Sequence, residues 1–304
     1  MIKRGWNVSV LYFKNNTRTD LPFIDPAVKA VQIPDIRCDE FTTRFPDADK
    51  VTGYLKEYIQ ENDIHYLVNQ WWPVEYIRGI RGRYNTKIIT CLHQALYTPM
   101  IEGTGINGFL KKRCTSLYKF WKKRHSCRQV TKFLPHTDKY IFLSPAFQRQ
   151  YEQFANYKNT NSQLGAIPNP LVFPNEIRPE DLQSKEKTVL LVGRMVEIQK
   201  RITRAIKIWS AIENDPRLDE WNFRIVGEGP DLAMYKQLAQ ALRLKRISFE
   251  GFRNPQPDYK QAAIFMMTSA FEGFPMTLVE AQQCGVVPVV MDSYLSLHDI
   301  VETG

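Results

Sequence analysis

The chain has 304 residues, of which 43% are hydrophobic and 12% aromatic, so it can bury a large core and is long enough for two domains. No apolar run approaches the roughly eighteen residues that a membrane span needs, and the first residues lack the pattern of a signal peptide, so we expect a cytoplasmic protein. The formal net charge is +9, and five scattered cysteines without a C-x-x-C pair predict neither a disulfide framework nor a structural zinc site.

Apolar strands alternate with helical patterns along the chain, which predicts parallel sheets with helices on both faces. The predicted strands of the first half are residues 7–13, 64–69, 87–92 and 139–143. Those of the second half are residues 188–192, 223–226, 247–249, 264–267 and 286–291. Four prolines and two asparagines punctuate residues 167–181, and we therefore predict an N-terminal domain at 1–168 and a C-terminal domain at 169–304.

The positive charge is concentrated in one segment. Residues 101–150 hold eleven Lys or Arg against two acidic residues, and 11 − 2 = +9 equals the charge of the whole chain. Most of this excess lies in residues 111–134, where Leu117, Phe120 and Trp121 share a helical face among basic residues. A basic helix with an aromatic stripe is typical of a protein surface that lies on an anionic membrane.

This segment has three other interpretations. The helix could be solvated, with its aromatic stripe packed on its own domain. Nucleic-acid binding also uses basic and aromatic residues, but no RNA or DNA motif accompanies the segment, so we predict no nucleic-acid partner. The loose group Cys114, His125, Cys127 and His136 fits no common zinc spacing, so we predict no metal site.

Two glutamates eight positions apart, Glu272 and Glu280, lie in the run SAFEGFPMTLVEAQQCGVVPVV at residues 269–290. The pattern predicts a strand, a loop, a helix capped by Thr277, and an end of that helix at Gly285. Glu272 follows the carboxyl end of a strand, where open parallel sheets bind ligands. Glu280 lies one turn inside the helix.

The N-terminus of this predicted helix offers an anion site. We expect free N–H groups at Thr277, Leu278 and Val279, which can bind a phosphate without a cationic side chain. A phosphate site flanked by two carboxylates that accept hydroxyl hydrogen bonds suits a nucleotide sugar. The alternative is a surface loop and an amphipathic helix with ordinary solvated acids.

The run resembles the E-x7-E signature of retaining glycosyltransferases of family 4, and upstream segments resemble the same family in order. These segments are VLLVGRMVEIQKRITRAI at 189–206, FRIVGEGPD at 223–231 and ISFEGF at 247–252. The resemblance extends from about residue 186 to the end and is weaker before it. It implies an α/β protein with the GT-B fold, in which two Rossmann-like domains with parallel sheets face each other across a cleft.

The resemblance also implies roles for individual residues. Arg194 and Lys200 match the pair that holds the donor diphosphate, although Arg194 could instead solvate a turn. Glu272 would hold the hydroxyls of the sugar as a catalytic residue, and Glu280 would accept a hydrogen bond from the ribose. His93 matches a histidine that approaches the sugar from the opposite wall; the alternative is a satisfied histidine at a strand end. The remaining residues implied in donor binding are Gly227, Phe252, Gly273, Phe274, Thr277 and Leu278. Ser144 and Asn169 match positions that shape the cleft and the linker.

The function that this resemblance implies is transfer of a sugar, with retention, from a nucleotide diphosphate donor to a hydroxyl of a glycan or lipid-linked acceptor. Surface polysaccharide or lipopolysaccharide biosynthesis is the expected pathway, in the cytoplasm and peripherally at the inner face of the membrane. No cofactor is expected, since the nucleotide diphosphate sugar is the donor substrate. The alternatives are a non-catalytic GT-B-like binding or scaffold protein and a nucleotide-sugar epimerase or phosphorylase of the same fold. Compared with the family, the first strand and the C-terminal end are expected to be absent from this chain.

Overall fold

The protein is represented by a computed structural model that describes residues 1–14, 25–37, 47–70, 72–97, 115–171, 173 and 179–302. The chain divides into two compact units. The first unit comprises Met1–Cys91 with Val130–Tyr140, and the second comprises Leu92–Gln129 with Ile141–Gly304. The boundary between residues 168 and 169 that the sequence suggests stays a prediction.

Strands and helices alternate along the chain, as predicted. The strands are β1 (Ser9–Lys14), β2 (Lys29–Arg37), β3 (Tyr66–Asn69), β4 (Lys87–Leu92), β5 (Lys139–Phe142), β6 (Leu164–Ala166), β7 (Glu186–Val192), β8 (Asn222–Val226), β9 (Ile247–Phe249), β10 (Ala262–Met267) and β11 (Val287–Val290). The helices are α1 (Ala48–Glu61), α2 (Val74–Ile77), α3 (Thr115–Phe133), α4 (Pro145–Ala155), α5 (Pro179–Gln183), α6 (Glu197–Lys200), α7 (Ile202–Glu213), α8 (Leu232–Ala241), α9 (Gln256–Gln261) and α10 (Met276–Gln283). Each predicted strand is confirmed within a few residues, whereas β2 and β6 were missed.

The second unit contains a sheet with the strand order β11-β10-β7-β8-β9. Each neighbouring pair in it is parallel. Alternate residues of β7 face opposite sides, because side chains along a strand point to the two faces in turn. Leu190 packs into the core cluster on one face, and Val189 and Leu191 pack into the cluster on the other. The sheet is therefore covered on both faces, and sheets of this kind bind ligands at the edge where the strands end.

Helix α7 shows why the sequence folds locally in this way. Its buried residues Ile202, Ala205, Ile206 and Trp209 recur at the spacing of one helical face. That face packs on the sheet cluster containing Phe223. Burying a large side chain of this kind contributes about 1.5 to 3 kcal/mol.

In the first unit, β1 pairs with β2 in parallel, and β3 pairs with β4 in parallel. The hydrophobic core of this unit forms where Val51, Leu55 and Ile59 of α1 pack on Ile33 and Ile88 of the strands. Among the described residues, no helix combines the length and the apolar character that crossing a bilayer requires.

Candidate active site

The central feature of the second unit is an ion pair between Lys200 and Glu272. Lys200 ends the short helix α6, which follows β7, and Glu272 lies in the loop that follows β10. The Lys200 ammonium Nζ lies 2.7 Å from Glu272 Oε1, and the two side chains are only 15% and 8% exposed. The other carboxylate oxygen, Oε2, accepts a hydrogen bond of 3.1 Å from Gln199 Nε2. Both oxygens of Glu272 therefore have donors, and the pair is electrically neutral.

Backbone hydrogen bonds hold the two segments together. The backbone N–H of Ala270 donates to the Gln199 carbonyl at 2.7 Å. The Thr268 hydroxyl donates to the carbonyls of both Lys200 and Arg201 at 3.1 Å. Arg201 adopts a left-handed conformation with a φ of 52°, which turns the chain between α6 and α7. Glu272 is thus placed by the turn after β7 as well as by its own strand.

Helix α10 begins two residues earlier than predicted. Its N-cap is Pro275, so the prediction of Thr277 as the cap is wrong. Proline carries no side-chain acceptor, and the Thr277 hydroxyl oxygen is buried with no hydrogen-bond partner among the described residues. The Thr277 hydroxyl is therefore a buried polar group without a hydrogen-bond partner among the described residues.

The prediction of free N–H groups at Leu278 and Val279 is also wrong. Both donate to the Pro275 carbonyl, at 3.1 and 3.3 Å. Within the part of the chain that the structure describes, the N–H groups of Met276 and Thr277 have no such partner. The helix N-terminus therefore offers an anion two N–H groups instead of the predicted three, and the first of them lies one residue closer to Gly273.

Glu280 lies on α10 and faces helix α9. The Tyr259 hydroxyl donates to Glu280 Oε2 at 2.9 Å, and Tyr259 itself is fully buried. Burial raises the pKa of Glu280 above its usual 4.5, and the hydrogen bond from Tyr259 offsets part of this rise. Burial and the nearby Glu280 carboxylate likewise raise the pKa of Tyr259, which keeps this hydroxyl protonated as a donor. The carboxyl group of Glu280 is therefore held in one orientation.

Gly273 brings the loop of Glu272 against the segment that follows β4. A Cβ atom at Gly273 would lie 3.0 Å from the α-carbon of Gln94 and 3.1 Å from the His93 carbonyl oxygen. A larger residue would push these two segments of the second unit apart. His93 is half-buried, and burial lowers the pKa of its imidazole, which favours the neutral ring at pH 7. The structure thus brings the backbone of His93 next to Gly273, the residue that follows Glu272.

Gly227 joins two strand ends of the same sheet. Its φ is 138°, and a Cβ atom there would lie 2.0 Å from the Gly193 carbonyl oxygen. No side chain can be accommodated at such a distance, so only glycine allows the turns after β7 and β8 to meet. Lys200 lies beside the same turn, since a Cβ on Gly193 would be 3.4 Å from the Lys200 Cε.

The other predicted donor-binding residues follow the ends of β7 and β9 or lie between β10 and β11. Arg194 is exposed in the turn after β7. Phe252 follows β9 and is 82% exposed, so its ring is open to a stacking partner. Phe274 is half-buried beside Gly273, and Leu278 is fully buried with its N–H bonded to the Pro275 carbonyl.

Sequence reasoning missed Gln199 and Tyr259 as parts of the site. The only sequence signal for Gln199 was its position next to Lys200. Tyr259 lies 21 positions before Glu280, so no local pattern connects the two residues. Ser144, predicted to shape the site, is the N-cap of α4, and its hydroxyl donates to Asp299 Oδ2. Asn169 is half-buried in the segment after β6.

The structure contains no group of three His, Cys, Asp or Glu side chains placed to hold a metal ion, within the residues it describes. Cys114 of the loose Cys and His group lies outside those residues. The predicted absence of a metal and of a cofactor stays a prediction.

Comparison with known proteins adds evidence for part of the chain. The family model described as "Glycosyl transferases group 1" matches residues 172–304. A lipopolysaccharide 1,6-galactosyltransferase of Escherichia coli strain K12 is 27% identical over 158 residues, which cover 50% of this chain and 43% of that protein. The chain thus spans under half of that relative's length.

Two solved structures share the fold. Sucrose-phosphate synthase from Thermosynechococcus elongatus superposes with a TM-score of 0.70 at 16% identity, over 99% of this chain and 75% of that one. Anabaena HepE, solved in complex with UDP and glucose, superposes with a TM-score of 0.57 at 17% identity, over 91% of this chain and 70% of that one. The predicted GT-B fold is therefore confirmed, and residues 172–304 match the model of the glycosyl transferases group 1 family.

Proposed function

We propose that the protein transfers a sugar from a nucleotide diphosphate donor to an acceptor hydroxyl, with retention of anomeric configuration. The observation that carries this proposal is the neutral Lys200–Glu272 pair, held by Gln199 beside the N-terminus of α10. A cation, a carboxylate and free helix N–H groups at one sheet edge match the diphosphate and the sugar hydroxyls of such a donor.

The cationic groups act on the leaving diphosphate. Arg194, Lys200 and the N–H groups of Met276 and Thr277 stabilise the negative charge that develops when the bond between the anomeric carbon and the phosphate oxygen breaks. Because Lys200 already contacts Glu272, the same ammonium can link the sugar-binding carboxylate to the phosphate. The partial positive charge at the N-terminus of α10 adds to this stabilisation. Because the N–H groups are already oriented, little water has to reorient as the charge develops.

The carboxylates and the histidine orient the sugar and the ribose. Glu272 accepts hydrogen bonds from sugar hydroxyls, and Glu280 accepts one from the ribose. His93, neutral at pH 7, contributes to the sugar site. In the proposed reaction the acceptor hydroxyl attacks the anomeric carbon from the face of the leaving group, and its proton passes to the departing phosphate oxygen. One C–O bond forms as one breaks, without an added cofactor.

The acceptor class is a glycan or a lipid-linked glycan in lipopolysaccharide or surface polysaccharide assembly. The similarity to the E. coli galactosyltransferase supports this class, and the HepE structure supports UDP as the nucleotide. We further propose that the protein works in the cytoplasm, peripherally at the inner face of the membrane.

The test is a calorimetric panel of nucleoside diphosphates and their sugars, followed by turnover assays with the donor that binds. We expect micromolar binding of one nucleoside diphosphate, release of that diphosphate only when an acceptor is present, and an unchanged anomeric configuration in the product by NMR. Acceptor-independent change of the sugar ring would favour an epimerase. Absence of both binding and turnover would favour a binding or scaffold protein.

A further inference from the structure

Helix α3 has two faces of opposite character. Cys127 and Val130 are buried on one of them. On the other, the residues at positions 120, 121, 124, 125 and 128 are all exposed, and helical spacing places them on one side. We call this set, consisting of Phe120, Trp121, Arg124, His125 and Arg128, the α3 outer face.

The outer face combines aromatic and cationic side chains. Phe120 and Trp121 are each 57% exposed. Their rings are arranged edge to face, with centroids 6.5 Å apart. Arg124 and Arg128 follow at one-turn intervals from Phe120. No acidic residue occurs in the sequence between Glu102 and Asp138, so no carboxylate of this segment neutralises them.

Two lysines of the same helix, Lys122 and Lys123, are placed differently. Lys122 Nζ lies 5.8 Å from the centroid of the Tyr97 ring. Lys123 Nζ lies 4.4 Å from the centroid of the Phe154 ring, and both lysine side chains are half-buried. These two lysines hold α3 on the second unit by cation–π contacts and packing of their stems. The exposed cations of the described part of the helix are Arg124, Arg128 and Lys132, and the aromatic pair remains outside the packing.

We infer that the α3 outer face docks on an anionic lipid bilayer, with Phe120 and Trp121 inserted at the headgroup level and Arg124 and Arg128 on the lipid phosphates. Tryptophan and phenylalanine favour the interfacial region, and arginine binds phosphate through its planar fork. An edge-to-face pair offers no open parallel platform for successive nucleic-acid bases, which favours lipid over a single-stranded nucleic acid. Docking does not depend on sugar transfer, so it can be tested even if the proposed enzymatic function fails.

The experiment is co-sedimentation of the full chain with vesicles of phosphatidylcholine alone and of phosphatidylcholine with phosphatidylglycerol. We expect binding to the anionic vesicles only. It should be strong at about 0.1 M salt and lost at about 1 M, because the screening length falls from about 10 Å to about 3 Å.

Two matched double variants separate the outer face from the overall charge. The variant Arg124→Gln with Arg128→Gln removes two charges from the outer face. The control Lys207→Gln with Lys236→Gln removes two exposed charges from α7 and α8. Each charge near an anionic surface contributes about 1 kcal/mol, so the arginine variant should bind roughly 30-fold more weakly than the unmodified chain. The affinity of the lysine control should fall by less than about threefold.

A third variant, Phe120→Ser with Trp121→Ser, keeps the charge and removes the inserting rings. We expect it to bind at least tenfold more weakly, and its circular dichroism spectrum should match that of the unmodified chain because both side chains are exposed. Equal binding of the arginine variant and the lysine control would overturn the inference. So would equal sedimentation with neutral vesicles, or retention of a single-stranded RNA probe in place of vesicles.

Discussion

The Lys200 ammonium lies 2.7 Å from Glu272 Oε1 in a site where both side chains are largely buried. A buried charge that loses its partner is costly, so each of these residues has a structural role in addition to its proposed role with the donor. This relationship sets the expected effects of substituting either one.

Replacing Glu272 by glutamine should separate nucleotide binding from transfer. The Lys200 ammonium, no longer neutralised, remains available to the diphosphate. We therefore expect the Kd for the free nucleoside diphosphate to stay the same or fall, while the transfer rate drops at least a hundredfold. Calorimetry beside turnover assays measures both. Lys200→Met is the contrasting variant and should weaken nucleotide binding and lower the Tm together; parallel loss of binding in both variants would contradict the assigned roles.

Gln199 should act as a positioning residue for Glu272. Gln199→Ala removes a hydrogen bond to a carboxylate, worth about 1.5 to 3 kcal/mol, and we expect the transfer rate to fall about 10- to 100-fold with an unchanged Kd for the free nucleoside diphosphate. Gln199→Glu should be worse, because it places a second negative charge beside Glu272. Gln237→Ala, an exposed glutamine on α8, is the control. Similar rates for Gln199→Ala and this control would show that Gln199 has no such role.

The raised pKa of Glu280 should make stability depend on pH. A carboxyl group that binds its proton more tightly in the folded state lowers the free energy of unfolding as the pH rises from the unfolded value of about 4.5 through the folded value. We therefore expect the unmodified chain to lose stability relative to Glu280→Gln over this range, as measured by urea unfolding between pH 4 and about 8.

The companion variant Tyr259→Phe tests the cause of this pH dependence. It removes the donor that stabilises the ionised Glu280, so the loss of stability with rising pH should be larger than in the unmodified chain. Identical pH profiles for the three proteins would mean that Glu280 titrates normally.

Glycine at position 227 should be indispensable for folding. Gly227→Ala forces a Cβ atom to within 2.0 Å of the Gly193 carbonyl and requires a φ of 138° from alanine. We expect destabilisation above about 4 kcal/mol or an insoluble protein. Gly53→Ala is the matched control, because a Cβ atom at Gly53 in α1 meets nothing within 4 Å; it should raise stability by about 0.5 to 1 kcal/mol. Soluble, fully stable Gly227→Ala protein would contradict the observed turn.

The amino-acid sequence by itself determined the order of strands and helices and the placement of Arg194, Lys200 and Glu272 after strands of one sheet. The spacing of apolar residues and the positions of turn residues are local properties that can be recognised in the sequence. Residues that follow parallel strands share one edge of the sheet, because the carboxyl ends of those strands lie at that edge. Strand β2 was missed because its sequence, KAVQIPDIR, interrupts the apolar pattern with Pro34 and charged residues. Strand β6 has only three residues, too few for any period to be recognised.

Only the tertiary structure decided which groups bond to which. The partners of Glu272 and Glu280, the N-cap of α10 at Pro275, and the packing of Lys123 of α3 on Phe154 depend on distances between segments far apart in sequence. Tyr259 reaches Glu280 because α9 and α10 pack in the same core, and no local pattern around either residue encodes that contact. The sequence thus specifies which chemical groups reach the sheet edge, and packing determines their hydrogen bonds and charge states.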